Sequence, residues 1–380
     1  MHNHKHNIVL PKHHKADGTF QNIGETYKLP SWKKELAFDL TYFLMNKKAP
    51  NLAELPSHVP NWDKIYNPDP NEIVHTWIGH STFLLQVGGY NILTDPIMGE
   101  RVGPIKNIGP KRLRPTPMTV DQLPPIDVVV ISHDHFDHCD TFTLRDLVKR
   151  FGDKVKFYVP LRLNKWMMKN ITGLKSTNLD HLDWWHTVYA PERNETTTYV
   201  NSDRQPVTGR LELTFLPAQH WSNRTFFDLR STLWGGWGIK FIPHDTSVRP
   251  KTIYHAGDTG YDPLLFKKIG SRWSKPNGGI DLALIPIGAY APRYYSRCEH
   301  IDPAESYLVA MDIHARHCVA MHWGTFDLAT EALLEPKIKL EQMKKIHSGH
   351  DENYFITVFP GETKVVELKE HLVLTEKSIV

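Results

Sequence analysis

Long apolar runs are missing from this sequence. No stretch approaches the roughly 18 residues a membrane-spanning helix needs. The longest strongly apolar segment, Ile126 to Ile131, carries Asp127. No apolar core follows the polar start Met1-His2-Asn3-His4-Lys5-His6, so a secretory signal is not expected. Cysteine is scarce. Cys139, Cys298 and Cys318 are odd in number and far apart, which argues against a disulfide framework and fits a reducing compartment. Charge of one sign is lacking too: Lys and Arg number 45 against 42 Asp and Glu, a net +3. That is too little to argue for a nucleic-acid partner.

What is present is ordinary globular material. The 380 residues are 40% hydrophobic and 23% charged, enough for a sizeable core in one large domain with additions, or in two modest ones. One count departs from the ordinary. There are 23 histidines, and histidine is the commonest side-chain metal ligand.

Residues 1–30 are polar, rich in His and Lys, and without periodicity. They read as a flexible, solvated tail, even with His2, His4, His6, His13 and His14 as available metal ligands. Residues 31–70 differ. Trp32, Leu36, Leu40, Phe43 and Leu44 recur on one helical face, flanked by Lys33, Lys34, Lys47 and Lys48. Such a helix packs on a core or lies in a membrane interface with its lysines at anionic headgroups. A proline-dotted connector, Pro50 to Pro70, follows. A single catalytic domain is expected over 71–365, with a C-terminal tail over 366–380.

Within that domain, His75 to Val87 and Tyr90 to Thr94 read as two strands around Gly88-Gly89, a hairpin signal. Ile126 to Ile131 reads as a buried strand. Further strands are expected at Leu211–Leu216, Trp237–Ile242, Thr252–Tyr254, Leu282–Ile285, Cys318–Met321 and Tyr354–Val358. Helices are expected at Asp140–Phe151, Leu161–Lys169, Pro303–Ile313 and Leu333–Lys345. Strands interleaved with helices predict an α/β architecture.

The chemistry concentrates in Ser132-His133-Asp134-His135-Phe136-Asp137-His138, directly after the buried strand. A turn leaving a strand aims i and i+2 at one point and i+4 and i+5 at another. His133 with His135, and Asp137 with His138, therefore suit two metal ions sharing one loop. Imidazole with carboxylate favours zinc, and less specifically iron or manganese. The remaining ligands should come from later strand ends. His220, Asp258 in Ala256-Gly257-Asp258-Thr259-Gly260, and His322 in Met321-His322-Trp323-Gly324 stand in such places.

This order of ligands resembles the metallo-β-lactamase superfamily. Longer motifs are similar to one family within it, the N-acyl-phosphatidylethanolamine-hydrolysing phospholipases D. They include Trp77-Ile-Gly-His80, Thr94-Asp95-Pro96, Gly109-Pro110-Lys111-Arg112, Leu182-Asp183-Trp184-Trp185, Gln219-His220-Trp221, Gly257-Asp258-Thr259-Gly260-Tyr261, Ile285 to Arg293, His300-Ile-Asp302-Pro303 and His322-Trp323-Gly324-Thr325-Phe326. The resemblance covers about residues 70 to 345. It implies an αββα sandwich with two zinc ions at its edge. His133, His135 and His220 would bind one ion and Asp137, His138 and His322 the other, with Asp258 between them. It further implies attack of a dizinc-bound hydroxide on phosphorus, releasing N-acylethanolamine from phosphatidic acid. Asp258 would carry the proton to the leaving group. His300 resembles a family histidine near the substrate.

His80, Asp95 and Gln219 are expected to orient ligands. Trp184, Trp185, Trp221, Trp234 and Trp237 line an acyl cavity or fill the core. Lys106, Lys111, Arg112 and Arg114 meet a lipid phosphate or form a solvated loop. Phe136 stands where better-known members of the family carry tyrosine, which puts headgroup preference in question. The resemblance implies a phospholipid substrate, contact with a membrane surface and a homodimer, and it favours the interfacial reading of the segment from Ser31. The expected place is intracellular, peripheral on the cytosolic face of membranes. The alternative is another hydrolase of the same fold, acting on a phosphodiester or a lactone.

Overall fold

The computed structural model describes residues 11–23, 52–193, 207–225, 227–347 and 354–366. Two seven-stranded sheets face one another. The first is built from β1 (Ile73–Gly79), β2 (Thr82–Val87), β3 (Tyr90–Thr94), β4 (Val128–Val130), β5 (Lys156–Pro160), β6 (Leu179–Leu182) and, from the far end of the chain, β14 (Thr363–Val366). Its order is β14-β1-β2-β3-β4-β5-β6. The second holds β7 (Thr187–Tyr189), β8 (Gly209–Leu216), β9 (Gly236–Pro243), β10 (Lys251–His255), β11 (Leu282–Pro286), β12 (Cys318–Met321) and β13 (Phe355–Ile356). These run in the order β13-β12-β11-β10-β9-β8-β7. Each sheet is mixed. Pairing is antiparallel from β14 through β3 and parallel from β3 to β6. The second sheet is antiparallel from β7 to β10 and parallel from β10 to β13.

The central strands are buried on both faces, and the alternation of side chains shows why. Trp77, Phe83, Leu85, Ile92, Val128 and Val130 point into the core shared with the second sheet. Their neighbours Ile78, Leu84, Leu93 and Val129 point the other way, into a second core. That second core is completed by helices α2 (Thr141–Phe151) and α3 (Leu163–Asn170), through Leu144, Leu147, Leu163 and Met167. A strand with apolar residues at every position needs cover on both sides. Here the cover is helix on one side and sheet on the other. Helices α4 (Pro263–Ile269), α6 (Pro303–Asp312) and α7 (Glu335–Ile346) pack on the second sheet through Phe266, Val309 and Leu340. The short helix α1 (Trp62–Tyr66) joins the second core through Ile65, and α5 (Arg293–Ser296) is a single turn before α6. This is the αββα sandwich expected from the sequence. Among the described residues no helix is long and apolar enough to cross a membrane.

Three expectations change. The segment from His75 to Val87, read as one strand, is two strands, broken at His80 and Ser81. Gly79 and His80 both take positive φ, 124° and 55°, which reverses the chain inside an unbroken run of buried residues. The first thirty residues are not all free: residues 11–23 are folded onto the body. His14 bridges to Phe20, and Phe20 is fully buried. The basic cluster is also partly taken up by the protein itself. Arg112 is buried and donates to the carbonyls of Ile78, Ile97 and Gly99. Arg114 donates to Leu55, and Lys111 pairs with Glu100.

Trp184, Trp234 and Trp237 are core residues. The candidate helix from Ser31 to Met45 lies outside the described residues.

The Trp237 indole N–H donates to the Ile131 carbonyl at 2.9 Å, which pins the end of β4 to the second sheet. Trp237→Phe keeps the ring and orphans that buried carbonyl. Urea unfolding should show a loss of about 1–3 kcal/mol.

Candidate metal centre

The loop after β4 opens at the edge where the two sheets meet. Its turn is closed by His138 and Cys139, both donating to the His135 carbonyl. It ends on Asp140, whose carboxylate accepts the Phe142 and Thr143 N–H groups and caps α2. Three later loops converge on it, after β8, β10 and β12. They bring His220, Asp258 and His322 to the same spot. The Asp258 loop comes within contact of the motif loop because residue 257 has no side chain. A Cβ on Gly257 would stand 2.7 Å from the Ser132 Cβ and 2.8 Å from the Gly235 carbonyl, at φ 62°.

All the ligand candidates named from the sequence are brought together. His133 Nε2 lies 3.0 Å from His135 Nδ1, and His220 Nε2 lies 3.3 Å from the same atom. Asp258 Oδ2 stands 3.2 Å from His138 Nε2 and 3.1 Å from His322 Nε2. Asp137 Oδ2 is 3.6 Å from His138 Nε2 and 3.8 Å from His322 Nε2. Ligands about 2.0 Å from a tetrahedral zinc stand about 3.3 Å from each other. The spacing is that of donors placed around a cation. His138 Nε2, His322 Nε2 and Asp258 Oδ1 are buried without hydrogen-bond partners, as expected of atoms whose partner is a metal.

The surroundings fix which nitrogen faces the centre. His133 Nδ1 donates to Ser132 Oγ, His138 Nδ1 to Asp95 Oδ2, and His220 Nδ1 to the Glu299 carbonyl. Each leaves Nε2 bare and pointed inward. Asp95 also accepts the Ser132 N–H, the Ser132 hydroxyl and His255 Nε2. His80 donates to Asp137 Oδ2 at 2.9 Å. Asp95 and His80 thus hold candidate ligands. Gln219 instead ties neighbouring loops: its N–H donates to Thr259 Oγ1 at 3.0 Å, its carbonyl accepts the Gly260 N–H, and its carboxamide reaches the Cys298 carbonyl at 3.5 Å. His255 was not anticipated. A histidine at the end of β10, three residues before Asp258, was the available signal.

Electrostatics agree with a cation site. Burial would raise the Asp137 and Asp258 carboxyls, but His138 and its neighbours hold both well below the usual range. Burial pushes His133 and His220 well below the ordinary imidazole value. It would do the same to His138, yet Asp258 and Asp137 lift that residue well above it. Asp258 and Asp137 likewise lift His322 to about 9, so the two carboxylates are held ionised by close pairing with His138 and His322.

His300 sits at the open side. Its Nδ1 is 3.8 Å from Asp258 Oδ2 and has no hydrogen-bond partner. Burial pushes its imidazole down to about 4, so the ring is neutral at neutral pH. Trp221 lies beside the centre, edge-on to His135 at 5.0 Å. Phe136 packs under Arg224, whose guanidinium lies 4.2 Å from that ring and 3.9 Å from the Trp166 ring. Arg224 also donates to the Asp134 and Cys139 carbonyls, which ties both ends of the motif loop. Its role was not foreseen.

Asp95→Ala removes the one acceptor shared by His138, His255 and Ser132 in a buried place. A loss of about 3–5 kcal/mol in denaturant melts is expected, with Asp95→Asn milder because it keeps the volume.

A model of the beta-lactamase superfamily domain matches residues 90–323. The chain is 36% identical to N-acyl-phosphatidylethanolamine-hydrolyzing phospholipase D 1 of Caenorhabditis elegans, over 82% of this chain and 80% of that one. It is 31% identical to the mitochondrial N-acyl-phosphatidylethanolamine-hydrolyzing phospholipase D of Saccharomyces cerevisiae, over 78% of this chain and 57% of that one. Among solved structures, an isothiocyanate hydrolase from Delia radicum gut bacteria superposes with a TM-score of 0.51 at 20% identity, covering 77% of this chain and 98% of that one. That likeness shows the shared fold. The convergence of histidines and carboxylates at the sheet edge and these kinships agree: the chain belongs to the N-acyl-phosphatidylethanolamine-hydrolysing phospholipase D family of the beta-lactamase superfamily, metal-dependent hydrolases.

Proposed function

We propose that this protein is a zinc-dependent phospholipase D that hydrolyses N-acyl-phosphatidylethanolamine to N-acylethanolamine and phosphatidic acid. The observation that carries the metal part is the ligand spacing of about 3 Å around buried, partnerless donor atoms. The substrate part rests on family membership. His133, His135 and His220 would hold one ion, Asp137, His138 and His322 the other, with Asp258 between. Two zinc ions would supply Lewis acidity to the phosphate and make water acidic enough to react near neutral pH.

The chain's own residues do the rest. Water attacks phosphorus, and the bond from phosphorus to the ethanolamine oxygen breaks. Asp258 has a buried oxygen, Oδ1, with no other partner. It takes the water's proton and passes it to the departing oxygen. The neutral His300 ring, 3.8 Å from that carboxylate, stands where it hydrogen-bonds a substrate oxygen. No covalent enzyme intermediate is needed.

The place of action belongs to the same reading: a homodimer, peripheral on the cytosolic face of membranes. Supporting it, Phe227 is 97% exposed and Tyr294 67% exposed. They stand on the segments that lead away from His220 and towards His300. Such rings favour the lipid–water boundary.

Purified zinc-loaded protein given N-acyl-phosphatidylethanolamine in heavy-oxygen water should release N-acylethanolamine and place the label in phosphatidic acid. Chelation should abolish release and added zinc restore it, while Asp258→Asn should lose at least about 100-fold. No release from protein shown to hold metal would reject the substrate and turn attention to other phosphodiesters and lactones. Replacing Leu40, Phe43 and Leu44 by serine should reduce co-sedimentation with anionic vesicles without lowering hydrolysis of detergent-dispersed substrate. Unchanged sedimentation would reject the interfacial segment.

A further inference from the structure

The segment 11–23 does more than lie on the surface. Its last turn delivers Asn22 to His220. The Asn22 carboxamide donates to the His220 carbonyl at 3.0 Å and accepts the His220 N–H at 3.1 Å. One side chain thus satisfies both main-chain groups of a residue 198 positions away, as a neighbouring strand would. The same Asn22 oxygen accepts the Trp234 indole N–H at 2.9 Å. A residue whose two flanking peptide groups are both held has little backbone freedom, and its imidazole is fixed at the other end by the Glu299 carbonyl.

The segment is pinned at its other end as well. His13 Nε2 lies 2.6 Å from one oxygen of Asp183, and His14 Nε2 lies 2.7 Å from the other. Two imidazoles and a carboxylate invite the thought of a third metal site. The distances speak against it. Donors across a zinc ion stand about 3.3 Å apart, as they do in the main centre, whereas these pairs are at hydrogen-bond length and each uses its own oxygen. His13 also stacks on Trp184, at 4.3 Å between ring centres. The Trp184 indole in turn donates to the Trp234 carbonyl. Both ends of the segment therefore meet at Trp234.

We propose that Asn22 is a positioning residue for the metal ligand His220, and that the hold of His13 and His14 on Asp183 is the latch that keeps it there. This rests on the reading of His220 as a ligand. It predicts an unequal effect on the two ions. The ion held by His133, His135 and His220 loses a well-placed donor when the segment loosens. The ion held by Asp137, His138 and His322 does not touch it.

The test is competition of full-length protein against a chromophoric zinc chelator, with no lipid present, so its outcome is separate from that of the substrate assay. Cobalt-substituted protein gives a second readout through its visible absorption. Asn22→Ala should weaken one of two ions by about tenfold or more and change the cobalt spectrum, while the other ion stays near its wild-type affinity. The double variant His13→Ala/His14→Ala should weaken the same ion, and His13→Gln/His14→Gln, which keeps donors towards Asp183, should restore part of the affinity. Unchanged affinities in folded Asn22→Ala overturn the proposal, as does an equal loss of both ions. Wild-type protein that binds no metal overturns it too. A third equivalent of zinc, lost in the His13/His14 variant with the other two unchanged, would replace the latch with a metal site.

Discussion

One buried carboxylate holds the two halves of the molecule in register. Asp95 ends β3 in the first sheet with a positive φ of 35°, and it is wholly enclosed. It accepts from Ser132 at the end of β4, from His138 in the motif loop and from His255 at the end of β10 in the other sheet. An ionised carboxyl in such a place survives only if its lone pairs are answered. Burial would raise it, yet His255 and His138 hold it below the usual carboxylate range. The donors that satisfy Asp95 are the groups that aim the centre. Fixing the charge and fixing the site are the same act.

The cluster of candidate ligands was legible because its residue types are rare at strand ends and closely spaced. His133, His135, Asp137 and His138 fall in one turn, and a buried β-branched strand before them says which way the turn opens. What holds them was less legible. Asp95 was suspected, but Glu299 and Arg224 come from far along the chain with nothing local to mark them, and His255 had only its place before Asp258 as a signal. Arg224 is a charged residue that packs between Phe136 and Trp166, and sequence alone reads such a residue as solvated. Arg112 misleads in the same way. Phe136 now has a packing role beside Arg224, whatever its missing hydroxyl does for the headgroup.

The fold shows a similar division. Strands with continuous β-branched or alternating apolar residues were legible, and their helical partners followed from 3.6-residue periodicity. Strand β6, Leu-Asp-His-Leu, offers only two apolar residues in four, too few for a pattern. The turn at His80 and Ser81 hid behind the stronger turn signal of Gly88-Gly89. The segment 11–23 hid for a compositional reason. Averages over thirty polar residues conceal a single Phe20 that is fully buried and a single Asn22 that reaches a peptide group.

The order in which the strands lie also bears on when the protein is finished. Among the described strands of its sheet β14 is the last to leave the ribosome, yet it pairs with β1, the first of them. Asn22 likewise waits for His220. Contacts this distant in sequence form slowly, since the chain must close long loops before they reward it. A nascent chain therefore displays β1 with one edge bare until its final strand emerges. Other chains making the same protein nearby present the same bare edge, and each carries the β14 that fits it. Exchange of that strand between copies is the characteristic misassembly that this topology has to outrun.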